Sequence, residues 1–311
     1  MKKLTIGTRG SKLALTQCGW VQRQIVAAMG EDPDRADQIA PLKIISTQGD
    51  RIQDRKLIEA GGKALFTKEI EEALLRGEID VAVHSLKDMP AADIPGLSLC
   101  AIPVREDPRD AFLSLNHSSL ADLPHGARLG TASQRRQAQA LAVRPDLDVV
   151  MMRGNVDTRL TKLAAGDCDG LLLAAAGLNR LGLSGHIRSF IDPDISACAP
   201  GQGALAVQCR SKDLGAPWMA KLHHLPTFVC IQAERGALEA LEASCRTAVG
   251  AYAVIEDGVL RLFVEALSGN GAKRWQRRAT LSAVNALAAR TLGLQLGHEI
   301  KAEAGAELIV G

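Results

Sequence analysis

Aromatic side chains are scarce in this chain, with five Phe, three Trp and one Tyr among 311 residues. Its cores must therefore be built from Leu, Val, Ile and Ala, and an apolar fraction of 47% is enough for that. An excess of one charge sign is also missing. Lys and Arg number 37 against 35 Asp and Glu, a net charge of +2. That balance argues against a polyanion binder held by bulk charge, so any anion site must come from local clustering of Arg and Lys. No run approaches the ~20 apolar residues of a membrane span. Thr5, Gly7, Thr8 and Arg9 interrupt the stretch after Lys2 and Lys3, where a signal peptide would need an apolar core. The expectation is a soluble cytoplasmic protein that acts on neither membrane nor nucleic acid.

The seven cysteines are odd in number and scattered, with no CxxC pair. This argues against a disulfide framework or a zinc site, and most read as small core residues. At 311 residues the chain exceeds one ordinary core, so two or three domains are expected.

Residues 3–8 alternate as a strand, and Ala14, Cys18, Val21, Ile25 and Ala28 then fall on one helix face. Leu42 to Thr47 reads as a strand and 48–62 as a loop ending in Gly61-Gly62. A helix through Phe66, Ile70 and Leu74 follows, then strands at 79–83 and 97–102. A second block repeats the alternation, with strands at 128–130, 147–151 and 170–174 and helices from Gln134 and over 156–165. Pro200-Gly201-Gln202-Gly203 reads as a hinge, and the strand over 204–209 as a return to the first block. The last part differs: a helix over 227–243, strands 248–255 and 259–267 joined by Asp257-Gly258, a strand at 274–280 and a helix at 283–297. Asp-Gly between alternating runs is a hairpin signal. The fold class is α/β: domain 1 over 1–101 plus 201–220, domain 2 over 107–196, and a small α+β domain 3 over 224–311.

Chemistry is indicated where basic residues meet helix starts. Arg135 and Arg136 follow Thr131-Ala132-Ser133, and Arg153-Gly154-Asn155 leads to Arg159 one unit later. Helix N-termini offer unpaired N–H groups, and guanidiniums added there make forked sites for carboxylate or phosphate. The alternative is a solvated helix face. In Val83-His84-Ser85-Leu86-Lys87-Asp88 a hydrophobic strand empties into a cation beside a carboxylate. Asp88 suits general acid/base work or stabilisation of a cation; the alternative is an ordinary surface pair, with His84 a structural histidine. Arg9 and Ser11 stand at another strand-to-helix junction, and Lys63 follows Gly61-Gly62. Cys245 falls between helix and hairpin, next to Arg246, which favours a thiolate.

These segments together resemble the porphobilinogen deaminase family. The match runs through Thr8-Arg9-Gly10-Ser11, Gly61 to Glu69, His84-Ser85-Leu86-Lys87-Asp88-Met89-Pro90 and Arg105 to Phe112. It continues through Arg135-Arg136, Arg153 to Leu160, Ala176 to Leu183, Gly201-Gln202-Gly203-Ala204 and Ala233-Glu234-Arg235, with Cys245 beyond. The resemblance implies a monomeric transferase with two α/β domains like those of periplasmic binding proteins, plus a third domain. It implies a dipyrromethane cofactor held by a thioether at Cys245. Four porphobilinogens add head to tail with loss of ammonia, and hydrolysis frees hydroxymethylbilane for porphyrin and heme synthesis. Asp88 matches the family's catalytic carboxylate, which assists loss of ammonia and stabilises the azafulvene cation. Lys87, Thr131, Ser133, Arg135, Arg136 and Gly203 are implied to contact the cofactor. Arg9, Ser11, Lys63, Phe66, Arg153, Asn155, Arg159 and Arg180 are implied to contact substrate. The pyrroles carry acetate and propionate groups, which these cations would neutralise.

The chain departs from the family pattern at Glu59, where Lys is frequent, and at Ala132, where Ser is frequent. Ala243 and Ala248 replace a usual Gly and Pro beside the cofactor cysteine. Two other classes remain open at this level: a non-catalytic binder of small anions, and an enzyme using Cys245 as an acyl acceptor.

Overall fold

The computed structural model describes residues 3–51, 65–92, 94–242 and 247–308. Its contacts divide into two compact units, Met1–Glu106 with Gly203–Phe228, and Asp107–Gln202 with Val229–Gly311. With elements numbered along the chain, the first unit contains β1 (Ile6–Thr8), β2 (Leu42–Ile44), β3 (Val81–Ser85), β4 (Leu97–Ala101) and β10 (Leu205–Arg210). They form one sheet in the order β2-β1-β3-β10-β4. The first three strands are parallel, and β10 runs antiparallel to both β3 and β4.

Helix α1 (Lys12–Ala28) leaves β1 through Ser11, whose hydroxyl accepts the Ala14 N–H and so satisfies an otherwise orphan donor. Its stripe of Cys18, Val21 and Ile25 is fully buried on one sheet face with Ile6, Val83 and Val207. Short helices α2 (Ala36–Ile39) and α3 (Gln48–Arg51) precede α4 (Lys68–Leu75), which covers the opposite face with Ile70 and Leu74 against Ile79 and Ala82. The expected loop over 48–62 therefore begins as a helical turn. The Asp50 carboxylate caps it, accepting from the Thr47 N–H and hydroxyl; positions 52–62 lie outside the described residues.

In the second unit β5 (Asp110–Leu113), β6 (Arg128–Thr131), β7 (Asp148–Met151), β8 (Gly170–Ala174) and β9 (Ser189–Ile191) form a sheet ordered β7-β6-β8-β5-β9. Strands β6, β7 and β8 are parallel, and β5 is antiparallel to its neighbours. The two sheets thus share one strand order, each with an antiparallel strand inserted next to the edge. Helices α5 (Gln134–Val143), α6 (Val156–Ala164) and α7 (Ala175–Arg180) follow β6, β7 and β8, and α5 and α6 are capped by the side chains of Ser133 and Asn155. Back in the first unit, α8 (Pro217–Leu222) packs on α1 and β4.

Helix α9 (Leu225–Ala240) leads to a three-stranded antiparallel sheet of β11 (Ala248–Glu256), β12 (Val259–Leu267) and β13 (Arg274–Leu281), closed by α10 (Ala286–Ala304). Asp257 and Gly258 both have positive φ, 50° and 76°, as a tight hairpin between right-twisted strands requires. Helix α10 continues past 297 because Ile300 and Ala304 extend its buried stripe.

Helices α9 and α10 meet through small residues. A Cβ placed on Gly293 would stand 1.9 Å from the Ala233 carbonyl oxygen, and one on Gly236 would stand 2.4 Å from that of Arg290. Backbone cannot yield as a flexible side chain does. Gly293→Ala is expected to destabilise the protein by about 2 kcal/mol or more through overpacking, despite alanine's better helix propensity. Denaturant unfolding measures this, and an unchanged midpoint would contradict the close approach.

Candidate active site

In the first unit Arg9, Ser11, Gln17, Phe66, His84, Ser85, Lys87 and Asp88 line one cavity at the C-terminal ends of β1 and β3. Open α/β sheets bind ligands at such strand ends. The turn after β3 is pinned by Leu86 and Met89, 2% and 7% exposed, and by the Leu86 N–H donating to the Ala204 carbonyl. With 86 and 89 turned inward, Lys87 and Asp88 between them face solvent.

Arg9 is already engaged. Its Nε donates to Asp50 Oδ1 at 3.0 Å and its Nη2 to the same oxygen at 2.5 Å, while its guanidinium carbon lies 4.1 Å from the centre of the Phe66 ring. Burial pushes the Asp50 carboxyl up, but Arg9 and Thr47 more than offset this and hold it below the ordinary carboxylate range. A ligand carboxylate reaching Arg9 must compete with Asp50, a partner absent from the sequence reading.

In the second unit the expected cations come together because β6, β7 and β8 run parallel, so each hands the chain to its helix at the same sheet edge. Thr131 ends β6, and its hydroxyl accepts the Ser133 N–H. Arg153 precedes α6, Asn155 caps it through the Thr158 N–H at 2.8 Å, and Arg159 Nε donates to the Gly154 carbonyl. Arg180 ends α7. Burial, reinforced by the charges of Arg136 and Arg153, pulls the Arg159 guanidinium down to about 10. Several cations therefore act on one another at this edge.

Arg135 and Arg136 do not form a solvated helix face; they are 5% and 7% exposed. Both hold Asp110, Arg135 Nη1 at 2.7 Å from Oδ2 and Arg136 Nη2 at 2.8 Å from Oδ1. Arg136 Nη1 also donates to the Leu172 carbonyl, and Gln202 Nε2 donates to Asp110 Oδ1 at 2.8 Å. Burial raises the Asp110 carboxyl, yet the two guanidiniums outweigh it and hold it far below the ordinary range. Sequence reasoning missed Asp110 because its partners lie 25 and 26 residues away, beyond any local spacing signal. Gly203, expected beside the cofactor, lies in the first unit at φ 84°, and its carbonyl accepts the Glu106 N–H.

Lys63 and Cys245 lie outside the described residues, as do Glu59 and Ala243. Ala132 is exposed, and Ala248 is buried as the first residue of β11, paired with Leu267. Among the described cysteines, burial pushes the thiols of Cys18 and Cys168 up to about 12 and about 11, as expected of core residues.

His84 is buried on β3, and burial draws its imidazole down to about 4, with Gln208 opposing and the charge of Arg9 assisting. The folded protein thus keeps this ring neutral where the unfolded chain, near 6.5, takes up a proton. Its contribution to stability is complete above about pH 6.5 and is lost as pH falls toward about 4, up to about 3 kcal/mol. Denaturant melts across that window should show a steeper loss for the natural protein than for His84→Asn; equal slopes would assign the ring an ordinary proton affinity.

The family model described as "Porphobilinogen deaminase, dipyromethane cofactor binding domain" matches residues 4–216, and that of the "Porphobilinogen deaminase, C-terminal domain" matches 228–302. A porphobilinogen deaminase of Caulobacter vibrioides (strain NA1000 / CB15N) is 56% identical over 99% of this chain and 98% of its own length. One from Caulobacter sp. (strain K31) is 58% identical over 99% and 98%, and one from Phenylobacterium zucineum (strain HLK1) 57% identical over 98% of each. Among solved structures, the "Methionine Binding Protein, MetQ" aligns with 71% of this chain and 88% of its own at 12% identity and a TM-score of 0.44, too loose a likeness to argue from. Among the described residues no helix is long and apolar enough to cross a membrane.

Proposed function

The chain belongs to the porphobilinogen deaminase family, and from that premise we propose how its own residues carry out the family's reaction. The protein is a transferase with a dipyrromethane cofactor. It joins four porphobilinogens head to tail, releasing one ammonia for each, and water then frees hydroxymethylbilane. We assign it to the cytoplasm, as a monomer.

The arrangement that supports this reading best is the placing of Arg153 and Arg159 at the start of α6, within reach of the Arg136 charge from the neighbouring α5. Like charges brought this close raise the free energy of the protein alone, and an anion relieves the repulsion. Every pyrrole brings an acetate and a propionate, so a growing chain supplies such anions repeatedly. The donor set fits the cofactor for the same reason. Thr131 and Ser133 at the start of α5, backed by the charge of Arg136, would hold its carboxylates, and Cys245, with Arg246 favouring the thiolate, would tether it by a thioether. Bound there, the cofactor supplies an electron-rich pyrrole carbon as the growing end.

Asp88 stands exposed in the cavity with Arg9 and Ser11. Its carboxylate accepts a pyrrole N–H, holds the positive charge left on substrate as ammonia departs, and takes up the proton released on coupling. Lys87 beside it and Arg9 bind substrate carboxylates, as does Lys63. Arg153, Arg159 and Arg180 neutralise the carboxylates of the lengthening chain, with Asn155 at the start of α6.

Intact-mass measurement tests this assignment. The purified protein should carry a dipyrromethane increment and show a ladder of single-pyrrole increments with porphobilinogen. Cys245→Ala should remove the increment. Asp88→Asn should retain cofactor and fold but slow turnover about a hundredfold or more. A bare mass with no turnover would leave only anion binding, and normal turnover in Asp88→Asn would remove its catalytic role.

A further inference from the structure

Asp110 is a buried carboxylate to which the reaction described above gives no task. It lies on β5, a strand inside the second sheet, and is 3% exposed. Oδ1 accepts from Arg136 Nε at 3.0 Å and from its Nη2 at 2.8 Å, and Oδ2 accepts from Arg135 Nη1. Gln202 Nε2 donates to Oδ1 as well, and Gln202 Oε1 accepts from Arg136 Nη2 at 3.3 Å.

Neutralisation alone does not account for this arrangement. One carboxylate bonds two guanidiniums directly, and a second buried carboxylate, Glu265, acts on Arg135 through its charge. Replacing a buried ion cluster by apolar side chains is commonly neutral or stabilising, so stability is a poor reason for its presence. What the geometry does supply is orientation. A carboxylate that takes both Nε and Nη2 of Arg136 fixes the plane of that fork, which leaves the Arg136 charge close enough to Arg159 to be felt there.

Arg135 shares one nitrogen among several acceptors. Its Nη1 also donates to Gln139 Oε1 at 2.8 Å and to the Ala197 carbonyl at 3.0 Å. Gln139 Nε2 donates in turn to Glu265 Oε1, which also accepts the Ala197 N–H at 2.7 Å. Glu265 is fully buried on β12 and its second oxygen accepts from Arg274. The start of α5 is thereby locked to β5 by one carboxylate and to β12 by another.

We propose that Asp110 is a positioning residue for cofactor capture: by holding the Nε and Nη2 side of Arg136, with Arg135 as its brace, it fixes where that guanidinium's charge stands beside Arg159, so that carboxylates of the pyrrole units meet a prepared cation site. This rests on reading the arginine cluster as the carboxylate receiver.

Three variants test it, each read by three measurements: thermal melting, the rate at which cofactor-free protein gains the dipyrromethane mass from porphobilinogen, and KM against kcat. Asp110→Asn removes the charge, and Asp110→Glu keeps it but moves the carboxylate by one methylene. Expected for Asp110→Glu is a cooperative melt, mass gain slowed about tenfold or more, and a raised KM with kcat little changed. Asp110→Asn should fall further in mass gain. If Asp110→Glu gains mass and turns over as the natural protein does, the proposal is overturned. It is equally overturned if neither variant melts cooperatively, because Asp110 is then a folding residue. Arg159→Gln separates the premise from the proposal. Normal loading and KM in that variant would refute the carboxylate-receiving cluster itself, whereas impaired Arg159→Gln with normal Asp110→Glu would refute only the positioning role.

Discussion

One carboxylate bonded to two guanidiniums inside the second unit constrains most of what surrounds it. Taking Asp110, Arg135 and Arg136 out of water is expensive, and only close, multiple hydrogen bonds offset that expense. They are present: both Asp110 oxygens are used, and further bonds run from Arg136 to the Leu172 carbonyl and Gln202 and from Arg135 to the Ala197 carbonyl and Gln139. The consequence is geometric. Strand β5, the start of α5 and the segments at Ala197 and Gln202 cannot shift separately without stranding a charge. Glu234 also joins separate segments, accepting the backbone N–H groups of Gly201 and Ala253 and so tying α9 to the segment at Gly201 and to β11.

What could be read from sequence follows the range of the interactions involved. Ser11, Ser133 and Asn155 cap helices three residues away or nearer, and Asp257-Gly258 closes its own hairpin, so these features declare themselves locally. The parallel strands read as short apolar runs for the same reason. Strands β5 and β9 are too short to show a period, at four and three residues, and their places in the sheet depend on β8, which follows β5 by some sixty residues. Side chains behaved likewise. Basic residues at helix starts were visible, but the carboxylates that engage them were not, since Asp50 meets Arg9 across 41 positions and Glu265 meets Gln139 across 126. Arg135 and Arg136 thus looked alike in sequence to Arg159, although two are bonded internally to a carboxylate and the third crowds other cations.

The two sheets show how one strand order serves different electrostatic ends. Both present the ends of three parallel strands and capped helix starts, where donors collect. In the first unit Asp50 neutralises Arg9 at a partly exposed site, which leaves an exposed carboxylate, Asp88, as the distinctive group. In the second, guanidiniums outnumber the carboxylate they share. The composition as a whole is nearly balanced in charge, and these helix starts gather cations locally.

That distribution bears on how a carboxylate works on substrates that are themselves carboxylates. On the proposed reading, Asp88 favours a cation forming nearby but repels the acetate and propionate of every incoming pyrrole. The repulsion is tolerable only if cations take those groups first. Lys87 stands next to Asp88 in the chain, and Arg9 lines the same cavity behind a pairing with Asp50 that a second carboxylate can contest. Asp50 and the Phe66 ring hold Arg9 in place at the cavity wall, so a ligand carboxylate meets a guanidinium already oriented.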